Sequence, residues 1–351
     1  MNRILVGMSG GVDSAAAALL LLREGLSVGG ATMILRPHDG LPQEARDARA
    51  VADALGFEHV VCRYEDAFRA EVIGRFADGY ARGQTPNPCV DCNRRVKFPR
   101  LLETARSAGY DGIATGHYAR AERDPQSGRW LLKRGADAAK DQSYVLYTLT
   151  QDQLAHTRFP LGGLLKPEVR ALADAAGLPI AAKAESQDIC FVPDGDYAAF
   201  LTRDCGVSGV PGPVVDTDGN VLGRHEGLLG YTIGQRKRLP VSLREKTYVV
   251  AKDAATARLT VGRERDLYAG SLTAGRLNWI AVDRLEEPTQ AMAQIRYNAA
   301  AVPALVQPLD GGASRVRVVF ETPQRAVTPG QSVVLYHGDS VLGGGVIENA
   351  I

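Results

Sequence analysis

The residues of this chain that could do chemistry fall into three places. Near the start, Ser9-Gly10-Gly11-Val12-Asp13-Ser14 puts two hydroxyls, two glycines and a carboxylate within six positions. A glycine-rich turn opening a helix is an anion site, because free backbone N–H groups and the helix dipole both face the ligand. The glycines let the backbone approach a phosphate closely, and Asp13 can hold Mg²⁺ against it. The stretch is not G-x-x-x-x-G-K-[ST], whose lysine it lacks, and it is not G-x-G-x-x-G. The second place holds Cys89 and Cys92, in Gly83-Gln84-Thr85-Pro86-Asn87-Pro88-Cys89-Val90-Asp91-Cys92. The third holds Cys190, in Ser186-Gln187-Asp188-Ile189-Cys190-Phe191. Such thiols serve as sulfur carriers, redox partners or metal ligands. Cys62 ends an apolar run and Cys205 a helical one, and both read as packing thiols. Arg94, Arg95, Lys97 and Arg100 follow the first cysteine pair, and Arg236, Lys237 and Arg238 form a second basic run. Beside a chemical site, such runs read as contacts to nucleic-acid phosphates.

These residues need a scaffold that brings them together. Strands are predicted at 4–7, 28–34, 59–62 and 112–115, and helices at 15–24, 44–55, 67–82 and 100–108. That alternation is a doubly wound α/β pattern with a parallel sheet. Ligands bind such sheets beyond the carboxyl ends of the strands, where residues 9–14, Met33, 89–92 and 116–118 all fall. Residues 140–205 read as mainly helical, at 143–149, 151–155, 166–176 and 196–204. Gly206, Gly209, Pro211, Gly212 and Pro213 then form a breaker cluster. Short strands dominate beyond it, at 212–222, 247–251, 258–261, 272–279, 291–297, 304–308, 315–320, 332–337 and 341–347. The expected division is a catalytic domain over 1–206, a central β-rich module over 207–272 and a C-terminal β-barrel over 273–351.

Composition narrows the setting. Hydrophobic residues are 45% and charged residues 23%, as in ordinary globular proteins. The net charge is only +1, so a nucleic-acid partner must be met by local basic surface. The longest apolar run, residues 15–22, stops at Arg23, well short of the ~20 residues a membrane span needs. With no membrane partner, no signal-peptide pattern and an odd number of cysteines, the expectation is a cytoplasmic protein with reduced thiols.

The loop at 9–14 resembles that of the N-type ATP-pyrophosphatases, the PP-loop enzymes. These split ATP between the α and β phosphates, adenylate a carbonyl oxygen and let a nucleophile displace AMP. Three further segments narrow the resemblance: 83–98, containing both cysteines; Ala114-Thr115-Gly116-His117-Tyr118 with Lys140-Asp141-Gln142-Ser143-Tyr144; and 186–191. With Gly230-Tyr231-Thr232-Ile233-Gly234-Gln235-Arg236-Lys237 and Thr328-Pro329-Gly330-Gln331, they resemble the bacterial tRNA-specific 2-thiouridylases along the whole chain. The resemblance implies a PP-loop ATPase domain, a central module and a tRNA-holding barrel. It implies 2-thiolation of the wobble uridine of tRNAs with glutamate-, lysine- and glutamine-type anticodons, with release of AMP and pyrophosphate. The sulfur would come from a donor such as a cysteine desulfurase or a sulfur relay protein.

Residue by residue, the resemblance places ATP and Mg²⁺ at Gly7, Met8, Ser9, Gly10, Gly11, Val12, Asp13, Ser14, Met33 and Gly116. It places tRNA at Asn87, Pro88, Cys89, His117, Lys140, Asp141, Gln142, Arg296, Tyr297 and Gln331. Cys190 corresponds to the persulfide carrier and Cys92 to the partner that closes a disulfide with it. Cys89 departs from the aspartate of many members. Three readings of Cys89 stay open: Asp91 supplies the carboxylate, Cys89 contacts the base in its place, or Cys89, Cys92 and Cys190 hold an iron–sulfur cluster. Zinc would lack a clear fourth ligand. Two rivals make other predictions: an amide-forming PP-loop synthetase tolerates loss of Cys92 and Cys190, and a non-enzymatic RNA-binding protein releases no AMP.

Overall fold

The computed structural model describes residues 1–180, 189–241, 245–310 and 314–351. Ser186, Gln187 and Asp188 of the third cysteine segment lie outside the described residues. The first half is built on strands β1 (Arg3–Gly7), β2 (Ser27–Ile34), β3 (His59–Arg63) and β4 (Gly112–Thr115), a hairpin of β5 (Ala119–Arg123) and β6 (Trp130–Arg134), and the short β7 (Thr157–Arg158). β3-β2-β1-β4-β7 form one parallel sheet in that order. β1 alternates between two cores: Ile4 and Val6 face one, and Leu5 the other. A parallel strand buried on both faces reads as the continuous apolar run seen in the sequence. The chain moves outward from β1 to β3 and then crosses back to β4. The strand order therefore reverses between β1 and β4, and a crevice opens there at their carboxyl ends.

Helices α1 (Val12–Arg23), α2 (Gln43–Leu55), α3 (Glu65–Phe68), α4 (Arg75–Ala81), α5 (Pro88–Cys92), α6 (Phe98–Ser107), α7 (Ser143–Leu146), α8 (Gln151–Ala155), α9 (Lys166–Ala175) and α10 (Tyr197–Cys205) complete this half. The alanines of α1, Ala15 to Ala18, are fully buried and share a core with Val169 and Ala173 of α9. Small side chains let these two helices lie close.

Two helical stretches depart from the sequence reading. The helix expected at 67–82 is interrupted by a π-helical segment, Arg69–Gly74. The helix expected at 100–108 begins far earlier, running from α5 through the π-helical Asn93–Lys97 into α6. Pro99 explains the second. In a regular helix its ring strikes the carbonyl four residues back and its missing N–H breaks a bond. Here Phe98 N–H bonds the Asn93 carbonyl five residues back, which widens the turn just before the proline.

The second half is β-rich. β8 (Gly212–Val215), β9 (Val221–His225), β10 (Tyr248–Asp253) and β11 (Arg258–Gly262) form a four-stranded sheet ordered β10-β11-β8-β9. β12 (Tyr268–Trp279), β13 (Thr289–Gln294), β14 (Val302–Leu309), β15 (Arg315–Arg325), β16 (Ser332–His337) and β17 (Ser340–Ala350) close into a six-stranded barrel through the β12–β17 pairing. The β5–β6 hairpin, not expected from its charged sequence, joins the rim of that barrel, with Lys133 opposite Ser340. No helix among the described residues is long and apolar enough to cross a membrane.

Candidate active site

Residues 9–14 link β1 to α1 at the point where the strand order reverses. Ser14 Oγ donates to the Gly11 carbonyl (3.1 Å) and accepts from Ser9 N–H (3.2 Å), so the loop braces itself. Gly11 is the N-cap of α1, and no side chain caps it among the described residues. The first-turn N–H groups are thus left to a ligand, as an anion site requires. Met33 lies on β2 beside Cys62 of β3.

Gly116-His117-Tyr118, following β4, ties this loop to the rest of the site. A Cβ on Gly116 would come within 2.7 Å of the Asp13 carbonyl carbon and 2.8 Å of Ser14 N, so only glycine fits. Tyr118 OH donates to Asp13 Oδ1 at 2.9 Å. The same oxygen accepts from Lys166 Nζ at 2.7 Å, from the first residue of α9. Between them, His117 turns the other way. Its Nδ1 pairs with Thr115 Oγ1 (2.8 Å), and its ring packs on Phe98 and Phe159. Burial, helped by the Lys97 cation, lowers its pKa to about 3. The ring is therefore neutral at physiological pH.

Lys97 connects His117 to the cysteines. Burial raises the Cys89 thiol and lifts Cys92 to about 11, Lys97 opposes both shifts, and a Cys190 thiolate adds to both. The three sulfurs and one ammonium thus share one electrostatic neighbourhood, although Cys92 and Cys190 are 98 positions apart. Packing explains how. Cys92 is 6% exposed in a cluster that also holds Ile189, Phe191 and Val192. The Phe191 ring anchors Cys190 there by meeting Phe68, Phe76 and Phe200 at 5.8, 5.3 and 5.3 Å. Cys190 itself is exposed, and Cys89 keeps an open face at the second position of α5. Asn87 Oδ1 caps that helix by accepting from Cys89 N–H at 3.0 Å.

The family profile described as tRNA methyl transferase HUP domain matches residues 2–194. The tRNA methyl transferase PRC-barrel domain matches 198–263, and the aminomethyltransferase beta-barrel domain matches 269–347. The tRNA-specific 2-thiouridylase MnmA of Acetivibrio thermocellus is 47% identical, covering 99% of this chain and 99% of its own. That of Moorella thermoacetica is 49% identical over 98% of this chain and 99% of its own. The chain belongs to the tRNA-specific 2-thiouridylase family. Among solved structures, a 4-thiouridine synthetase–RNA complex with bound ATP gives a TM-score of only 0.40, at 18% identity over 54% of this chain and 45% of that one.

Within a 2-thiouridylase, the residues expected at tRNA occupy varied settings. Tyr297 is 38% exposed, with its ring 6.0 Å from that of Tyr144. Its hydroxyl is raised by burial and by the charges of Asp141 and Cys89, so the barrel reaches the cysteine site. Arg296 donates to the Arg325 carbonyl at 2.7 Å, and its buried Nε has no partner among the described residues. Both residues lie in the turn after β13, not in the strand expected to run to 297, because β13 ends at Gln294. Asp141 is engaged internally by Gly135 N–H, Arg134 and Ser143, and Gln142 pairs twice with the Tyr118 backbone. Gln331 Nε2 donates to the Thr85 carbonyl at 2.6 Å, so it fixes the approach to Cys89. Lys140 is half-buried beside them, and Pro88 is buried at the start of α5.

The first basic run divides. Arg95 pairs with Glu71 and Asp91, Arg100 pairs with Glu103, and Lys97 serves the thiols. Arg236, Lys237 and Arg238 are exposed. Asp91 forms an ion pair with Arg95, and its charge adds to the upward shift of the Cys92 thiol. It lines a cavity of about 180 Å³ with Arg75, Arg82, Arg276 and Ser332, where α4 meets the barrel. Among the described residues, no three His, Cys, Asp or Glu side chains converge as metal ligands. Sequence reading missed Lys166 and the anchoring role of Tyr118. Nothing local marks either, since their partner Asp13 is over 100 residues away.

Proposed function

We propose that this chain uses ATP to replace the 2-oxygen of a tRNA wobble uridine with sulfur. The uracil O2 attacks the α-phosphorus of ATP, the Pα–O–Pβ bridge breaks, and pyrophosphate leaves. Cys190 carries a persulfide whose terminal sulfur attacks C2. The Cys92 thiolate then attacks Cys190 Sγ, the S–S bond breaks with its electron pair going to the transferred sulfur, and AMP departs with the old oxygen. Two thiols are oxidised to a Cys92–Cys190 disulfide as the sulfane sulfur is reduced, so each turnover needs a thiol reductant and a fresh persulfide donor. Asp13 would hold Mg²⁺, which neutralises phosphate charge, and the N–H groups of the 9–14 loop would hold the phosphates. Lys97 favours the thiolates, neutral His117 offers a ring nitrogen without a charge, and Tyr297 offers a stacking face for an unpaired base.

The carrying observation is Gly116-His117-Tyr118, whose two ends rest on Asp13 while its centre shares Lys97 with the cysteines. An amide-forming synthetase needs no such link to thiols. The test is a single turnover with tRNA transcripts of several anticodon types, Mg·ATP, cysteine and a cysteine desulfurase, reading thiouridine, AMP and pyrophosphate by mass spectrometry. Thiouridine and AMP should form one for one. Cys190→Ser should lower thiolation at least about 10³-fold while leaving ATP binding intact. Thiolation by Cys190→Ser at the normal rate would falsify the sulfur route.

A further inference from the structure

The turn after β13 is held by one buried side chain. Gln294, the last residue of β13, is 6% exposed and lies opposite Val334 of β16. Its Nε2 donates to two successive carbonyls, those of Arg296 (3.2 Å) and Tyr297 (2.9 Å). These belong to the two peptide groups that flank the Tyr297 Cα, so the direction of the Tyr297 side chain is set from inside the barrel. The Arg296 carbonyl also accepts from Ala299 N–H at 3.1 Å, and the Arg296 guanidinium donates to the Arg325 carbonyl. The Tyr297 ring itself is left 38% exposed. It lies 6.0 Å from the ring of Tyr144, whose hydroxyl donates to the Ser332 carbonyl at 2.8 Å. The Cys89 thiol acts on its hydroxyl from the other side. This arrangement is unfavourable for stability alone. Gln294 Oε1 is buried and has no partner among the described residues, and half an amide left unpaired in a core is destabilising. The next turn of the barrel, between β16 and β17, is closed instead by exposed residues with Gly338 at positive φ.

We propose that Gln294 is a positioning residue for tRNA thiolation: its buried amide fixes the turn at Arg296 and Tyr297 so that the Tyr297 ring is held as a stacking face beside Cys89. A ring already fixed loses little conformational entropy when an unpaired base stacks on it, so the clamp favours binding of the target nucleotide. Gln294 touches no substrate and acts only through Tyr297. The inference rests on the tRNA reading above and deepens it, and the experiment separates the two.

Single-turnover thiolation is measured on the full chain against tRNA concentration, with saturating Mg·ATP, cysteine and a cysteine desulfurase. The proteins are wild type, Gln294→Leu, Gln294→Glu, Gln294→Lys, Tyr297→Ala and the double variant Gln294→Leu/Tyr297→Ala. Gln294→Leu, which cannot donate, should raise the half-saturating tRNA concentration about 10-fold, the size of a weakened base stack, and leave ATP affinity unchanged. Gln294→Lys should recover most of the loss, because an ammonium can donate to both carbonyls. Gln294→Glu should be impaired at pH 8 and improve toward pH 6, since only the protonated acid can donate and burial raises its pKa. The double variant should match Tyr297→Ala within about 2-fold, because residues acting as one unit are not additive. Normal tRNA dependence in Gln294→Leu overturns the proposal. So do losses that multiply in the double variant, because these mark a general role in barrel stability. If Gln294→Leu does not fold, Gln294→Glu and Gln294→Lys carry the same comparison. Tyr297→Ala with wild-type tRNA dependence refutes the stacking reading and the proposal with it, whereas wild type that thiolates no tRNA refutes the proposed function itself.

Discussion

Residues 9–14 make their bracing hydrogen bonds with one another, whereas Cys92 and Cys190 meet only through a hydrophobic cluster drawn from distant parts of the chain. The phosphate loop is local and contiguous: strand, turn and helix, with Ser14 closing on Ser9. The thiol site is assembled, with Cys92 on a helix whose approach is fixed by the barrel and Cys190 held beside it by Phe191. The difference matters chemically. A phosphate cradle works by preorganised donors and must be stiff. A persulfide carrier must receive sulfur from outside and then deliver it within, which suits an exposed thiol tethered next to a buried one.

If the two sites are separately built but joined through 116–118, each can be broken alone. The largest effect should come from Gly116→Val, whose side chain has no room against Asp13 and Ser14. ATP-dependent release of AMP should fall at least about 10²-fold, while alkylation of Cys190 proceeds at the normal rate. A parallel loss of Cys190 reactivity would show that the sites are one unit.

Next comes pH. With its pKa lifted to about 11 against roughly 8.5 for a free thiol, Cys92 should alkylate about 10²-fold more slowly than an ordinary cysteine at pH 8, rising steadily with pH. Mass spectrometry after brief iodoacetamide pulses reads this directly. The folded state binds more protons than the unfolded one between these pKa values. The stability contributed by neutral Cys92 is therefore full below about 8.5 and is lost as pH rises through about 11. Denaturant melts of wild type and Cys92→Ala should accordingly diverge less at high pH.

The smallest effect should follow Gly330→Ala. Gly330 has φ +93°, and a Cβ there meets Thr85 N at 2.8 Å. The substitution should cost about 1–3 kcal/mol in stability. It should slow thiolation several-fold and leave ATP affinity unchanged, because it shifts the segment before Cys89 and nothing near Asp13.

The contrast also explains what could be read from the sequence. The loop, the parallel sheet and the β-rich half were legible because strand, turn and helix signals are local. Cys89, Cys92 and Cys190 were legible as thiols in distinctive surroundings, but their convergence depends on the Phe191 cluster, which no spacing reveals. Pro99 hid the start of a helix that a π turn carries past it. Charged residues hid the β5–β6 hairpin. Asp141 and Gln331, expected at tRNA, also make hydrogen bonds within the protein. Polar residues near a site serve its scaffold as readily as its ligand, and only partners in space tell them apart.

The pairing of Lys133 with Ser340 has a consequence for synthesis. Ser340 leaves the ribosome about 200 residues after Lys133. At about 5–20 residues per second, the β5–β6 hairpin waits on the order of 10–40 s for its partner strand. During that time it carries an unpaired edge, and the charges that disguised it in the sequence, Arg120, Glu122, Lys133 and Arg134, are the kind that keep such an edge from pairing with another nascent chain.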